Sequence, residues 1–536
     1  MMGDINKINT DLIKKEVMTT YLRLLIVGSL SLLAFASFRF GKTFETVKID
    51  SGLISGSVNK DGDIHVFKGI PFAAPPVGLL RWKSPQPVRP WEGLRKCDAF
   101  GPSPVQGKPT PFSMWSQEFL IPKEPISEDC LYLNVWTGAK TPKDKRPVLV
   151  WIYGGGFSSG GTAVPIYDGE AMAKKGIIFV SINYRVGIFG FFAHPELTKE
   201  SGRNASGNYG LMDQIAGLEW IRRNIAVFGG DPGNVTIAGQ SAGSMSVNCL
   251  VASPLCRNLF QKAIAESGAS VVSSPLRATS DLIMAEQDGV RIAQTLHAAS
   301  LAELRNMPAE ELFQKGQGMH APIIDGYVLP ESIGSIFKAN KENNVALLTG
   351  WNEDEGLLFG KLKTAEDFRK DASQQYGGDA GTFLKLYPAG SDSEAAVSQL
   401  RLSRDMIFGV QNYCWANMQS ELGSKVYVYR FTRKLPATGE YVRYGAFHTG
   451  EVPYAYDNLK FVDRPWEPVD HELAATMSSY WANFATTGDP NSDKLPIWPV
   501  YDKINKNIMI LGEKPAAKKL PDVEALDFIY TKMNGK

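Results

Sequence analysis

Between Val235 and Val247 the sequence reads VTIAGQSAGSMSV: a β-branched apolar run, then Gly239-Gln240-Ser241-Ala242-Gly243, then a helix-compatible run. A strand that becomes a helix across five residues brings the two elements too close for side chains where they cross. Glycine is therefore required at 239 and 243, and the apex residue is forced into a strained conformation with its side chain projecting outward. An elbow of this kind needs a helix that folds back onto the sheet its strand belongs to, so the spacing predicts a layered α/β structure with Ser241 at a strand end. Ala242 then offers a backbone N–H at a helix start, where the dipole favours developing negative charge.

The surrounding chain repeats the alternation of strand and helix. Apolar strands are predicted at PVLVWIY from Pro147, IIFVSINY from Ile177, KAIAESG from Lys262, VALLTG from Val345, KVYVYRFTR from Lys425 and NIMIL near Asn507. Helices are predicted near Leu211 to Phe228, directly after Ser241, and from about Glu472 to Thr487. Strands that are continuously apolar are buried on both faces, as in a mostly parallel α/β sheet. Before them, TVKIDSGLISGSV and IHVFKGIPFA, split by the turn sequence NKDGD, predict an antiparallel hairpin. No repeat or linker divides the strands, so residues 38–536 are expected to form one large domain. Helical insertions between Ser273 and Leu312 and between Thr364 and Met418 are expected to build walls over the strand ends.

Residues 1–37 are expected to lie outside that domain. Leu24 to Phe38 is an apolar run preceded by Arg23 and containing Ala34, Ala36 and Ser37. At about 1.5 Å per residue it spans only ~22 Å, short of a ~30 Å hydrocarbon core, so it reads as an export signal with an A-x-A type cleavage site, the alternative being an uncleaved anchor. Met18 is a candidate start, since residues 1–17 are long and polar for a signal's first segment. The expected location is secreted or periplasmic, with no stable membrane association after cleavage. The 57 Lys+Arg against 56 Asp+Glu leave no global field to draw nucleic acid. Five cysteines fit an oxidising compartment without making a disulfide scaffold. Cys249 and Cys256 would be about 10.5 Å apart in an unbroken helix, too far to bridge, although Pro254 can end that helix. Cys414 reads as a packed thiol.

A serine that attacks needs amide donors for the oxyanion and a base. In WIYGGGF, Gly154, Gly155 and Gly156 follow a predicted strand and expose backbone amides. In sheets carrying this elbow the partners follow in the order serine, acid, histidine, which removes His65 and His194. His297 falls in a polar helical insertion, His320 precedes PIIDGYVLP, and His471 opens the closing helix as a cap or surface residue. His448, in RYGAFHTGEVPY after a strongly β-patterned run, is the remaining base. For the acid, VALLTGWNEDEG offers Glu353, Asp354 and Glu355 in succession, with Asp325 as a further candidate; spacing does not choose among them.

Taken together, WIYGGGF, SEDCLYLNV, GQSAGS, the NEDEG segment and GAFHTGE resemble the type-B carboxylesterases, the cholinesterase-like branch of the α/β-hydrolase fold, from about Phe44 to the C-terminus. The resemblance implies Ser241 as nucleophile, Glu355 as acid, His448 as base, and Gly155, Gly156 and Ala242 as oxyanion donors. It also implies a Cys97–Cys130 disulfide, structural ion pairs Arg81–Glu128 and Arg185–Asp213, and a Ser267 hydroxyl near the triad. Gln240 departs from the glutamate that many members carry before the serine.

The expected activity is hydrolysis of small-molecule carboxylic esters through an acyl-enzyme. No cofactor is expected: the sequence has no H-E-x-x-H, no phosphate-loop lysine and no paired CxxC. The alternatives are a non-catalytic adhesion protein on the same fold and an amidase or lactonase using the same triad. PFSMWSQEFL and FVDRPWEPVD, with Met114, Trp115 and Trp466, are candidate pocket walls.

Overall fold

The computed structural model describes Met18 and residues 46–273, 280–318, 320–357 and 361–534. The Leu24–Phe38 run and the boundary expected at residue 37 lie outside the described residues. Thr46 to Lys536 forms one compact unit.

Among the described residues, eleven strands form one sheet. Its centre is seven parallel strands, in spatial order Ile178–Ile182, Arg146–Ile152, Gly230–Gln240, Lys262–Glu266, Ala346–Asn352, Val426–Phe431 and Asn507–Leu511. Antiparallel strands close both edges: Tyr132–Thr137, His65–Pro71 and Ser57–Val58 on one side, Ala516–Lys519 on the other. The hairpin expected across NKDGD is present, joining Ser57–Val58 to His65–Pro71. The first expected run breaks up, because Val47–Ile49 and Gly52–Ser55 turn on each other and, with Leu94–Lys96, make a separate small sheet.

The central strands are apolar along their whole length because helices cover both faces; Val148, Leu149, Val150 and Ile152 are fully buried. The helix expected after Leu211 runs Tyr209–Asn224 and ends in a 3₁₀ turn, Ile225–Phe228. The closing helix is longer than its pattern showed, Pro468–Thr487, because Glu467 and Asp470 cap it reciprocally. His471 is exposed at its start.

Chain order places a site. After Arg146–Ile152 the chain steps to one side, to Ile178–Ile182, and then returns to the other side with Gly230–Gln240. The connections leave in opposite directions there, opening a crevice at the carboxyl ends of those two strands. The triple-glycine loop follows the first and Ser241 follows the second.

At that crossing the expected need for glycine is physical. A Cβ at Gly239 would lie 2.5 Å from the Gly243 backbone, and one at Gly243 would lie 2.0 Å from the Ile152 carbonyl oxygen. Both expected ion pairs are formed, Arg81–Glu128 at 2.6 Å and Arg185–Asp213 at 2.7 Å. The expected Cys97–Cys130 bridge is not: both are buried thiols. Cys130 borders a small cavity also lined by Pro104, Val105, Arg81 and Arg185, while the Cys97 carbonyl accepts from the Lys68 N–H at 2.8 Å in the middle of His65–Pro71. Burial pushes the Cys97 thiol up to about 11 and that of Cys130 well above the ordinary range. Cys414 is packed in the core as expected.

Gly243→Ala therefore forces backbone apart rather than a flexible side chain. We expect it to cost about 3 kcal/mol or more of unfolding free energy, read by urea denaturation, with loss of soluble yield; a variant as stable as the parent would contradict the crossing described here.

Candidate active site

Ser241 sits at the apex of the elbow with φ +59° and ψ −122°, a conformation that bulky L-residues avoid. Two ties hold it there: its N–H donates to the Glu266 carbonyl at 2.9 Å, and its own carbonyl accepts from Met245 N–H at 2.9 Å. The strained position aims Oγ at His448, whose Nε2 lies 2.8 Å away. On the other side of the ring Nδ1 meets Glu355 Oε2 at 2.9 Å. His448 is nearly buried and Glu355 entirely so. The three groups come from loops after three different strands, Gly230–Gln240, Ala346–Asn352 and Val426–Phe431.

The structure separates the three acids that spacing left open. Glu353 accepts from Arg404 Nη1 and Arg430 Nη1, each at 2.8 Å. Burial would raise its carboxyl, but the Arg430 and Arg404 guanidiniums hold it below its ordinary value. Asp354 exchanges bonds with Ala446, accepting the Ala446 N–H at 2.9 Å on Oδ2 and donating its own N–H to the Ala446 carbonyl at 3.0 Å. That exchange fastens the acid loop to the histidine loop. Glu355 alone turns inward, with Oε1 fixed by the Asn352 N–H at 2.9 Å. Asp325 is elsewhere, accepting from the backbone of Tyr327 and Leu329.

The remaining histidines are structural or exposed. His194 accepts from Glu196 N–H at a helix start, His320 bonds the Gly316 carbonyl at 2.8 Å, His297 is exposed, and His65 begins the strand His65–Pro71, which pairs with Ser57–Val58 and Tyr132–Thr137.

The glycine loop packs against the elbow. A Cβ at Gly154 would lie 2.6 Å from the Gln240 carbonyl oxygen and 3.0 Å from Ser241 Cβ. The Gly155 carbonyl turns away to accept from Ser158 and Ser159 N–H at 3.1 and 3.0 Å. In a trans peptide the N–H points opposite to the C=O, so the Gly156 N–H is directed away from those serines. The Gly154 carbonyl likewise lies against Gly160, turning the Gly155 N–H the other way. Gly155 and Gly156 need φ of +111° and +64° to do this. Ala242, first residue of the helix Ala242–Ala252, contributes a third N–H that has no acceptor within a helix's first turn.

One residue at the imidazole, Phe408, carried no readable signal in the sequence. Phe408 stacks on His448 with centroids 4.4 Å apart and planes at 21°. It comes from a π-helical turn, Asp405–Gly409, inside the second insertion, a local distortion of a kind common at functional sites. Gln240 Nε2 lies 3.3 Å from His448 Nε2 and 3.4 Å from Nδ1. Those near-equal distances place the amide over the ring, since an in-plane atom would overlap Cε1. Thr449 Oγ1 donates to Gln240 Oε1 at 3.4 Å and accepts from Trp115 Nε1 at 3.1 Å, which sets the Trp115 ring edge-on to His448 at 6.3 Å. Exposed Phe112 packs on Trp115 at 4.8 Å. Trp115 thus belongs to the site wall, whereas Trp466 bonds the Leu459 and Val462 carbonyls and packs on Tyr454. The Ser267 Oγ is buried and makes no hydrogen bond to the triad.

The arrangement is a serine hydroxyl bonded to an imidazole, a buried carboxylate on the ring's other nitrogen, and a glycine-loop backbone packed beside the serine; acyl transfer by a hydroxyl nucleophile calls for groups of these kinds. Residues 43–529 match the model of the Carboxylesterase family. The fumonisin B1 esterase of Sphingopyxis macrogoltabida is 36% identical over 483 residues, covering 87% of this chain and 86% of that protein. The para-nitrobenzyl esterase of Bacillus subtilis (strain 168) is 34% identical over 505 residues, covering 90% and 98%. A solved PNB esterase superposes with a TM-score of 0.78 at 31% identity over 92% of this chain and 99% of its own. A thermophilic PNB esterase gives 0.78 at 32% identity over 91% and 100%.

The division of labour in the acid loop is testable. Glu355→Gln should lower kcat on an activated ester by about 10⁴ with the fold intact. Glu353→Gln should lower stability and leave kcat of the folded protein within about threefold, since its charge serves two arginines rather than the imidazole. Equal losses of kcat would contradict the assignment.

Proposed function

The chain belongs to the carboxylesterase family and is a carboxylic ester hydrolase; on that footing we propose that it works through Ser241, His448 and Glu355 by way of an acyl-enzyme. The observation that carries this reading is the pair of contacts on one imidazole, 2.8 Å to Ser241 Oγ and 2.9 Å to Glu355 Oε2. Ser241 Oγ attacks the ester carbonyl carbon while His448 Nε2 takes its proton. Glu355 holds Nδ1–H, fixing the tautomer, and its charge favours the imidazolium that forms. The amides of Gly155, Gly156 and Ala242 bind the oxyanion of the tetrahedral intermediate. His448 then returns the proton to the departing alkoxide oxygen, releasing the alcohol. Water repeats the sequence on the acyl-serine, restoring the hydroxyl and freeing the acid.

The wall formed by Phe112, Trp115 and Phe408 favours esters with an apolar or planar group beside the reacting carbonyl. For location we propose export, supported by the apolar run Leu24–Phe38 with Arg23 before it and small residues at its end.

Purified mature protein should hydrolyse p-nitrophenyl butyrate, and Ser241→Ala should lower kcat by about 10⁶. Retained turnover in Ser241→Ala would overturn the assignment. N-terminal sequencing of the protein recovered from its native host should begin close after Ser37; a chain still carrying Leu24–Phe38 would contradict export with cleavage.

A further inference from the structure

Behind the imidazole the structure gathers polar groups that the mechanism above does not use. Asn352 Nδ2 donates to the Phe447 carbonyl at 2.8 Å and to Glu451 Oε2. The backbone N–H of the same residue donates to Glu355 Oε1. Asn352 therefore buckles the acid loop to the peptide that precedes His448, and Glu451 holds the buckle. Glu451 follows His448 by three residues and is completely buried.

Glu266, also completely buried, ends the strand beside the elbow, and its carbonyl is the one that fixes Ser241 N–H. Its carboxyl Oε1 accepts from Tyr456 OH at 2.8 Å and Trp481 Nε1 at 2.9 Å. The second oxygens of both glutamates, Glu451 Oε1 and Glu266 Oε2, are buried without a hydrogen-bond partner, as are Tyr429 OH and Asn352 Oδ1.

The titratable groups acting on this pair are Glu355, Tyr167, Tyr429 and Tyr456, and no lysine or arginine is among them. Two bare carboxylates buried here without a cation would each carry a desolvation penalty of several kcal/mol. One proton between them converts an orphaned acceptor into a donor and removes half of the charge, the arrangement that carboxyl pairs in confined sites adopt.

We propose that Glu451 and Glu266 hold one proton between them and that Glu451, in this neutral hydrogen-bonded form, is a positioning residue that keeps Asn352, and through it Glu355 and His448, in register. The proposal rests on the triad reading for its effect on rate, but not for the protonation itself. Burial is the leading influence on both groups. It pushes the Glu266 carboxyl up to about 7, and it lifts that of Glu451 well above the carboxylate range, helped by the charges of Glu266 and Glu355.

A glutamine at 451 can accept from Asn352 with its oxygen and donate to Glu266 with its amide, copying the shared proton; alanine can do neither. Glu451→Gln should keep kcat on p-nitrophenyl butyrate within about threefold, while Glu451→Ala should lose about 10² in kcat with KM within about twofold. Infrared difference spectra of wild type minus Glu451→Gln at neutral pH should show the C=O stretch of a protonated carboxyl that shifts in D₂O. Stability gives a third readout. The folded state keeps the shared proton above pH 4.5, where both glutamates of the unfolded chain have lost theirs, so unfolding free energy should fall as pH rises from 4.5 towards about 7, and Glu451→Gln should remove that part of the slope. The absence of a protonated-carboxyl band, or a Glu451→Gln variant as slow as Glu451→Ala, would overturn the proposal, as would unchanged kcat in a folded Glu451→Ala. The spectra and the stability slope need no turnover, so they separate its failure from failure of the triad reading, which Ser241→Ala reports.

Discussion

The structure hinges on one close approach. The strand Gly230–Gln240 and the helix Ala242–Ala252 cross with no room for a Cβ at 239 or 243, and the Ile152 carbonyl of the neighbouring strand is wedged into the same gap. That crowding leaves Ser241 the sole residue between two fixed elements and gives it a positive φ. Strain that would cost about 1–3 kcal/mol in isolation is held by a buried parallel sheet on one side and by the Glu266 carbonyl on the other. The same gap brings the triple-glycine loop against Ser241, so the serine and the glycine-loop backbone are positioned by a single contact.

Precision at the imidazole comes from a different source, because His448 belongs to a long loop. Asp354 and Ala446 exchange backbone-length bonds, Asn352 ties Phe447, and the ring lies between Phe408 and the Gln240 amide. Each tie crosses from one loop to another rather than running along one of them. The result is a base on a flexible kind of segment that is nonetheless surrounded on every side, with the carboxylate at Nδ1 and the hydroxyl at Nε2 left as its in-plane partners. The arginines Arg404 and Arg430 add to this indirectly by holding Glu353, and hence the acid loop, from outside.

What could be read in the sequence was what the chain makes locally. The elbow glycines and the glycine loop after a strand are short-range patterns, and the structure has a strand-to-helix crossing at Gly239 and Gly243 and the triple glycine after Arg146–Ile152. The choice among Glu353, Asp354 and Glu355 was not readable from spacing, since adjacent residues differ only in which neighbours they meet: two arginines, a backbone amide or the imidazole. Phe408 was invisible because a π-helical turn rotates it onto a ring forty residues further along, and Glu266 because its partners Tyr456 and Trp481 come from the far end of the chain. The Cys97–Cys130 pairing was carried over from the resemblance rather than read from local pattern, and in the structure both are buried free thiols.

The central claim is that the crowded elbow presents one uniquely reactive hydroxyl. Titration with a p-nitrophenyl alkylphosphonate, followed by peptide mass spectrometry, reads this directly. The account predicts one equivalent of p-nitrophenol released and a single covalent adduct on the peptide containing Ser241; modification of another residue, or no adduct in folded protein, would contradict it.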